Sequence, residues 1–241
     1  MVAFFYFGGN DMALSPRLHA IAALVPVGSA VADVGCDHGY LPVWLLQQGI
    51  SPFVIATDVA AGPLEVARRS ARNAEIYTEI SFRLADGLSA VSPFEVEVIV
   101  IAGMGGETIS SIIAAASWLS EGAHRLILQP QSKVPELMEF LAASGYRVLD
   151  QHLVEDGGRL YTIIEAAPGY MDLPRGETCY IIPRLLERGD PLLERYLTEI
   201  IEKLHRVLRG LARSADGAER RTELTEDIQR LERWKGRQNH E

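Results

Sequence analysis

Hydrophobic and polar positions along the first two thirds of this chain predict strands that are followed by helices. Short apolar runs, mostly β-branched, predict buried strands at residues 30–34, 53–58, 80–84, 96–102 and 125–128. Two further strands, 146–154 and 160–166, are joined by the turn sequence Glu155-Asp-Gly-Gly-Arg159, which is typical of a hairpin. The pattern predicts an α/β fold with a doubly wound, seven-stranded, mainly parallel sheet that contains one antiparallel strand.

The periodicity changes in the last quarter of the chain. Apolar residues recur there at alternating steps of four and three, at Leu193, Leu197, Ile200, Leu204, Val207 and Leu211. Leu224, Ile228 and Leu231 repeat this spacing in a shorter helix after a turn at 214–217. We therefore expect a loose N-terminal extension at 1–11, an α/β domain at 12–167, a linker at 168–176 and a helical coiled-coil hairpin at 177–241.

Charge and composition narrow the classes of partner. The net charge is −9, but 13 of the 23 Lys and Arg residues lie in 184–241, so a polyanion would meet least repulsion at the helical hairpin. No apolar run reaches the roughly 18–20 residues of a membrane helix, so no membrane partner is expected. Residues 1–9 lack the basic flank of a signal peptide. Cys36 and Cys179 have no disulfide spacing, which indicates a cytoplasmic protein.

Carboxylates and glycines recur where the predicted strands end. Four strands are followed by Asp33 and Gly35, by Asp58, by Asp86 and Gly87, and by Gly103-Met-Gly-Gly106. Ligands of doubly wound sheets bind outside the carboxyl ends of the strands, so these residues should line one pocket. Asp58 suits the two hydroxyls of a ribose, Asp86 could bracket an adenine ring, and Asp33 with Gly35 suits an amino-acid moiety.

The glycine spacing argues against a dinucleotide. Residues 33–39 read D-x-G-x-x-x-G rather than G-x-G-x-x-G, and no lysine follows to neutralise phosphates. The acidic strand ends instead suit a cationic nucleoside such as S-adenosylmethionine. Structural interpretations stay open: Gly35 and Gly39 as packing glycines, Asp58 as a helix cap, Asp86 as a turn former and His38 as a turn histidine.

Three segments resemble the bacterial tRNA (adenine-22-N1)-methyltransferase family. They are Ala32-Asp-Val-Gly-Cys-Asp-His-Gly-Tyr-Leu-Pro42, Ile101-Ala-Gly-Met-Gly-Gly106 and Leu126-Ile-Leu-Gln-Pro130. The resemblance is close over residues 13–167 and looser in the helical tail, and Cys36 and Gly39 stand where Ser and Ala are expected. It implies a Rossmann-like class I methyltransferase fold, S-adenosylmethionine as the cofactor, tRNA as the partner and N1 of an adenine as the acceptor.

The resemblance and the strand-end pattern together predict the site residues. The cofactor-binding set is Asp33, Gly35, Gly39, Asp58, Asp86, Gly87, Ala102 and Gly103. The catalytic set is Asp37, His38, Gly103 and Met104, with residues 103–106 as a wall against the target base. Because adenine N1 carries its own lone pair, no strong general base is required, and catalysis would depend on proximity and orientation.

Other classes of function stay open at this stage. A nicotinamide-dependent oxidoreductase would also use Asp58 for a ribose, and a non-catalytic methyltransferase-like RNA-binding module would keep the fold alone. A methyltransferase with a different acceptor is a further alternative. His152, His205 and His240 show no metal-ligand spacing, so no metal is expected. The heptad seam could close within one chain or between two, which predicts a monomer or a weak dimer.

Overall fold

A computed structural model describes residues 14–172, 180–211 and 218–238 of this chain. Its strands are β1 (Val31–Val34), β2 (Val54–Asp58), β3 (Ile80–Leu84), β4 (Val98–Gly105), β5 (Arg125–Ser132), β6 (Tyr146–Asp156) and β7 (Arg159–Pro168). Its helices are α1 (Pro16–Ala23), α2 (Tyr40–Gln47), α3 (Ala61–Asn73), α4 (Gly106–Ala115), α5 (Trp118–Glu121), α6 (Val134–Ala143), α7 (Pro183–Glu187), α8 (Leu193–Leu211) and α9 (Ala218–Gln238). A 3₁₀ turn, Tyr77–Glu79, precedes β3.

The strands form one seven-stranded sheet in the order β3-β2-β1-β4-β5-β7-β6. Strands β1 to β5 pair in parallel, and β7 runs antiparallel to both β5 and β6. The predicted sheet with one antiparallel strand is thus confirmed. The strand order reverses between β1 and β4, which is where a doubly wound sheet opens a crevice for a ligand.

The central strands are buried on both faces. Val31 of β1 packs in the core on one face of the sheet, and Ile99 and Ile101 of β4 pack in the core on the other face. All three are fully buried, as expected for parallel strands covered by helices on each side. Ile113 of α4 and Leu137 of α6 pack on one face, whereas α1 and α2 cover the other. This burial holds the carboxyl ends of β1, β2 and β4 side by side.

The fourth strand is longer than the sequence predicts. Its apolar run ends at Ala102, yet β4 continues through Gly105 because β5 also continues to Ser132 and pairs with it. The pairing is irregular at Met104, which lies opposite Pro130, a residue without an N–H to donate. The predicted wall at 103–106 is therefore an irregular strand end followed by the first residue of α4.

Two short helices were not anticipated from the pattern. The helices α5 and α7 contain four and five residues, too few to display a helical period. The helix α2 begins at Tyr40, because Gly39 in the left-handed region turns the chain directly into it. None of these differences changes the order of the strands.

The C-terminal helices pack against each other along the predicted seam. Leu197 and Leu204 of α8, and Leu224 and Leu231 of α9, are buried. Val207 is an exception, since 44% of it remains exposed. The expectation that the second helix is the shorter one is wrong, since α9 has 21 residues and α8 has 19; the outer turns of α9 are polar and carry no heptad signal. Among the described residues, no helix combines the length and the apolar character that a membrane span needs.

One apolar core joins the sheet to these helices. Tyr180, Ile181 and Leu185 are buried between residues of the sheet, such as Ile164, and residues of α8. The division into an α/β domain and a helical domain stays a prediction. The expected extension at 1–11, residues 173–176 of the expected linker and the expected turn at 214–217 lie outside the described residues.

Candidate active site

A cavity of about 490 Å³ lies at the carboxyl ends of β1, β2 and β4. Ten of the eleven predicted site residues line it: Asp33, Gly35, Asp37, His38, Asp58, Asp86, Gly87, Ala102, Gly103 and Met104. They come from four separate strand ends, as the parallel sheet requires. The cavity is thus a pocket with several carboxylates on its lining.

Gly39 is the exception among the predicted residues. It does not line the cavity and instead begins α2 with φ of +73°. A Cβ on Gly39 would lie 2.8 Å from Cβ of Ala67 in α3. Its position favours the interpretation of Gly39 as a packing glycine, which lets α2 approach α3.

The turn between β1 and α2 is built from left-handed residues. Gly35 has φ of +72° and Asp37 has φ of +49°. The backbone N–H groups of Gly35 and Cys36 both donate to the carbonyl oxygen of Thr57, at 2.8 and 2.9 Å, which fastens the turn to β2. A Cβ on Gly35 would lie 2.3 Å from Cε of Met104, so glycine allows the Met104 side chain to lie against the turn.

The Asp58 carboxylate is oriented by two backbone groups. Its Oδ2 accepts from the N–H of Asp37 at 3.2 Å, and its Oδ1 accepts from the N–H of Ala60 at 2.9 Å. Each carboxylate oxygen can accept a further hydrogen bond. Asp58 is not the cap of α3, whose N-cap is Ala60 and has no side-chain cap, so its bound carboxylate presents free acceptors to the cavity.

Asp33 is a buried carboxyl without a partner in the described part of the chain. Its exposed fraction is 5%. Its side chain accepts no hydrogen bond from a described group and forms no ion pair with one. Burial, and then the nearby charge of Asp58, raise the pKa of Asp33 to about 7. A ligand cation beside Asp33 would favour its ionised form. Burial also raises the pKa of the neighbouring Cys36 thiol, which keeps it protonated.

Gln129 supports the opposite wall of the cavity. Its side-chain oxygen accepts from the N–H of Gly103 at 3.2 Å and from Nη1 of Arg17 at 2.8 Å. Gln129 is fully buried, and its Nε2 donates to the carbonyl oxygen of Pro130. A single amide thus holds the end of β4 and positions a guanidinium from α1 beside it.

The mouth of the cavity carries polar and aromatic side chains. Nε2 of His38 lies 3.7 Å from Oδ1 of Asp37, and the ring of His38 lies 5.6 Å from the ring of Tyr40. Nδ1 of His38 is buried and has no hydrogen-bond partner among the described residues. Asp86 is exposed at the rim beyond β3, while Gly87 is buried and its carbonyl accepts from Oγ1 of Thr57.

Comparison with known proteins gives a consistent result. A family model for a methyltransferase domain matches residues 14–164. The tRNA (adenine(22)-N(1))-methyltransferase of Bacillus subtilis is 28% identical over 228 residues, which are 92% of this chain and 96% of the relative. The crystal structure of a Streptococcus pneumoniae protein proposed to be a tRNA (m1A22) methyltransferase is 31% identical, covers 92% of this chain and 99% of that chain, and has a TM-score of 0.82.

The chain belongs to the tRNA (adenine-22-N1)-methyltransferase family. The Streptococcus pneumoniae member has also been solved in complex with S-adenosyl-L-methionine, and that structure matches this chain with a TM-score of 0.80. The expected Rossmann-like class I methyltransferase fold with helices after the sheet is thereby confirmed. None of the comparisons assigns roles to individual residues of this chain.

A second cavity of about 580 Å³ adjoins the first one in this member of the family. Gln131 lines both cavities. The cationic residues of the second cavity are Lys133, Arg159, Lys203 and Arg206, and its acidic residues are Glu199 and Glu202. It lies between the ends of β5 and β7 and the helix α8, so it forms a cleft between the sheet and the helical hairpin.

Sequence reasoning missed several residues that line the first cavity. Arg17, Tyr40, Thr108, Ile112 and Gln131 are among them. Arg17 lies in α1, before the first strand, and nothing in its local sequence indicates that it returns to the strand ends. The aromatic side chain of Tyr40 is part of the segment that carries the family resemblance and could have been included on that basis.

Sequence reasoning also missed a group of three polar side chains away from the cavities. Asp150, His152 and Glu165 offer ligand atoms within 4.8 Å of one another, on the paired strands β6 and β7. Arg125 contacts Glu165, and Arg188 contacts Asp150. Because arginines already neutralise these carboxylates, we interpret the group as an ion-pair network that attaches α7 to the sheet.

Proposed function

We propose that this protein transfers the methyl group of S-adenosylmethionine to N1 of adenine 22 in tRNA. The observation that carries the proposal is the cavity at the strand ends, in which the buried Asp33 and the oriented Asp58 face a wall of bare backbone at Gly103. A cationic nucleoside satisfies both carboxylates and leaves the Gly103 wall for an acceptor base. The sequence and structural relatives support the same donor and acceptor.

Different residues of the first cavity would bind the different parts of S-adenosylmethionine. Asp58 accepts from the ribose hydroxyls, because its carboxylate is already held in place by the backbone of Asp37 and Ala60. Asp86 and Gly87 would hold the adenine ring, and Asp33 and Gly35 would hold the amino-acid moiety. When bound, S-adenosylmethionine supplies a methyl group on a positively charged sulfonium.

The residues beside the end of β4 and at the mouth of the cavity have to align the target base with the methyl group. Gly103 and Met104 form the wall against which the adenine lies, and Gly103 has no side chain to block the approach of N1. The methylated ring gains a positive charge, which Asp37 at the mouth would stabilise as it develops. His38 and Asp37 are the side chains that we place beside the base. Because N1 is on the pairing edge, the target adenine must leave its stack.

The second cleft would contact the sugar-phosphate backbone of the tRNA. Among the described residues, Arg159 and Arg206 have no carboxylate within ion-pair distance, so both cations can contact phosphates. The cleft continues from the donor cavity through Gln131, so a strand in it could place one base in the first cavity. Phosphate contacts of this kind make affinity depend on salt.

The proposed enzyme is a monomer or a weak dimer and works in the cytoplasm. The seam between α8 and α9 closes within one chain, which supports a monomer, while the exposed Val207 leaves room for a weak dimer. A tRNA substrate supports a cytoplasmic location.

The experiment that tests this function uses a matched pair of transcripts. An unmodified bacterial tRNA transcript with adenine at position 22, and the same transcript with guanine there, are each incubated with labelled S-adenosylmethionine. We expect one methyl group per adenine-22 transcript, mapped as N1-methyladenosine, and none on the guanine transcript. Equal labelling of both transcripts would indicate another acceptor. No labelling at saturating donor would favour a non-catalytic module.

A further inference from the structure

A third cavity of about 460 Å³ lies at the opposite edge of the sheet from the first cavity. Two of its lining residues, Glu97 and His124, directly precede the parallel strands β4 and β5. The third cavity therefore lies at the amino ends of these strands, whereas the first cavity lies at the carboxyl end of β4. At about 3.3 Å per residue, the length of β4 from Val98 to Ala102 separates the two cavities by roughly 15 Å.

The walls of the third cavity are largely apolar and include two aromatic rings. Phe94 and Trp118 line it together with Pro93, Val96 and Ala123. Phe94 is 96% exposed, so its ring contributes little to the core of the protein. Exposed apolar surface beside a concave site is typical of a surface that contacts another molecule.

Two carboxylates without cationic partners lie on the same lining. Glu97 and Glu121 form no ion pair within the described ranges. Oε2 of Glu97 accepts from the backbone N–H of Ala30 at 2.6 Å, which orients this carboxylate without balancing its charge. No Lys or Arg of the described residues lines the cavity. The third cavity thus attracts a cation and repels a phosphate chain.

His124 carries an unused acceptor at this cavity. Its exposed fraction is 7%, and its Nε2 lies 2.9 Å from the carbonyl oxygen of Pro93. A carbonyl oxygen only accepts, so Nε2 carries the proton and Nδ1 of the neutral ring is an acceptor. Nδ1 is buried and has no hydrogen-bond partner among the described residues. An unpaired buried acceptor costs free energy, which an N–H group of a ligand would recover.

Gly122 leaves the edge of this imidazole free of a neighbouring side chain. A Cβ on Gly122 would lie 2.4 Å from Nδ1 of His124. Gly122 has φ of −100°, which any residue adopts, so the position of the imidazole requires glycine here and the backbone does not. Because Gly122 is itself part of the lining, Nδ1 lies next to the cavity.

We propose that the third cavity binds an arginine side chain of a basic protein partner. A guanidinium is planar and stacks on aromatic rings, which Phe94 and Trp118 supply. It pairs with carboxylates such as Glu97 and Glu121, and it has five N–H donors, one of which can satisfy His124. Lysine offers the charge without the plane. The inference goes beyond the proposed function, because none of the residues assigned to methyl transfer lines this cavity.

A second copy of the chain fits this surface less well than a basic partner does. A two-fold axis that placed each Phe94 in the cavity of the other copy would also bring Glu97 and Glu121 of both copies together. Like charges that face each other across an interface oppose association. The second cleft lies at the other edge of the sheet, so a partner in the third cavity leaves that cleft open to tRNA.

The test titrates the full chain with short peptides that differ in one side chain. Acetylated and amidated Gly-X-Gly peptides carry arginine, lysine or citrulline at X, and citrulline replaces the guanidinium by a neutral urea of similar shape. The indole N–H resonance of Trp118 reports on the cavity, whereas Trp44 and Trp234 lie outside its lining. We expect the arginine peptide to shift the Trp118 resonance and to bind about tenfold more tightly than the citrulline peptide, with lysine between them.

Exposed residues of the lining provide variants that should keep the fold. Phe94→Ala and Glu121→Gln should each weaken binding of the arginine peptide by about two- to tenfold, the range of an exposed cation–π contact or ion pair. Tyr170→Ala removes another exposed aromatic ring, and Glu139→Gln removes an exposed carboxylate of α6. Both controls lie outside the cavity lining and should bind the peptide as the wild type does.

The inference is overturned if the arginine peptide leaves the Trp118 resonance unmoved, if the citrulline peptide binds equally well, or if the two lining variants bind like their controls. Dimerisation that Phe94→Ala abolishes, measured by sedimentation, would assign the surface to a second copy and also overturns it. A failure of the proposed function is distinguishable, since it concerns binding of S-adenosylhomocysteine, which all of these variants should retain.

Discussion

The backbone N–H of Asp37 donates a hydrogen bond to Oδ2 of Asp58 at 3.2 Å. The two residues belong to neighbouring strand ends, and the bond fastens the left-handed turn after β1 to the end of β2. Asp58 therefore has two tasks, since it orients the turn and presents acceptors to the cavity.

Replacement of Asp58 should weaken donor binding in a graded way. Asp58→Ala removes every acceptor, and we expect affinity for S-adenosylhomocysteine to fall by about 10- to 100-fold, as for the loss of hydrogen bonds to a charged group. Asp58→Asn keeps one oxygen and should lose less. Titration calorimetry measures both, and unchanged affinity in the alanine variant would refute the ribose assignment.

Donor binding should depend on the ionisation of Asp33. Burial raises the pKa of this carboxyl to about 7, so below that pH it is mostly protonated and does not attract a cation. We expect affinity for S-adenosylmethionine to rise by up to about tenfold per pH unit below pH 7 and then to level off. Asp33→Asn should flatten the profile over the same range, while a flat profile in the wild type would contradict this role.

The same carboxyl should lower the stability of the unliganded protein at high pH. Its pKa is about 7 in the folded protein and 3.8 in an unperturbed chain, so between these values the folded state binds a proton that the unfolded state has lost. Stability then decreases as pH rises across that window. Urea melts should show that Asp33→Asn gains stability over the wild type as pH increases from about 4 to 7, whereas a constant difference would argue against the raised pKa.

The packing role of Gly39 predicts a loss of stability that exceeds the cost of its backbone angle. Gly39→Ala places a Cβ 2.8 Å from Cβ of Ala67 and also puts alanine at a φ of +73°. Gly49 has a φ of +63° with nothing within 4 Å of its Cβ position, so Gly49→Ala is a matched control. We expect the control to lose about 1–2 kcal/mol and Gly39→Ala about 1–3 kcal/mol more.

Denaturant melts of the two glycine variants provide the comparison. Equal losses would mean that only the backbone angle matters at Gly39. A donor affinity close to wild type in folded Gly39→Ala would agree with its position outside the cavity lining.

The second cleft should contribute salt-dependent affinity for tRNA. Arg159→Gln and Arg206→Gln each remove one cation from the cleft, and each should lower the slope of log affinity against log salt by about 1 if it contacts a phosphate. Filter binding at several salt concentrations measures the slope. Arg69→Gln on α3 is the charge-matched control, and an equal change in that variant would show a general charge effect.

Much of the fold could be predicted because strong local signals agree with it. The β-branched run at 98–101 and the apolar run at 54–56 specify buried parallel strands, and the acids near the carboxyl ends of the strands fall on one edge of the sheet as a geometric consequence. The heptad spacing of Leu197 and Leu204 likewise predicts the seam in which both residues are buried. Short elements such as α5 carry no period and escape such reasoning.

The site could be predicted only where its residues follow strands. Arg17 and Gln129 are 112 positions apart and meet in the folded chain, and no local pattern indicates such a contact. Gly39 belongs to the glycine pattern of the turn, yet its role depends on Ala67 in a different helix. Distance relationships of this kind arise from packing and become visible only in three dimensions.

The central claim is that the acidic strand ends form a pocket for a cationic adenine nucleoside. Titration calorimetry of the full chain with S-adenosylmethionine, S-adenosylhomocysteine and NAD at pH 8 tests it most directly. The account predicts one site per chain for each of the first two ligands and no binding of NAD. Absence of heat with both S-adenosyl ligands, or tight binding of NAD in the same cavity, would contradict it.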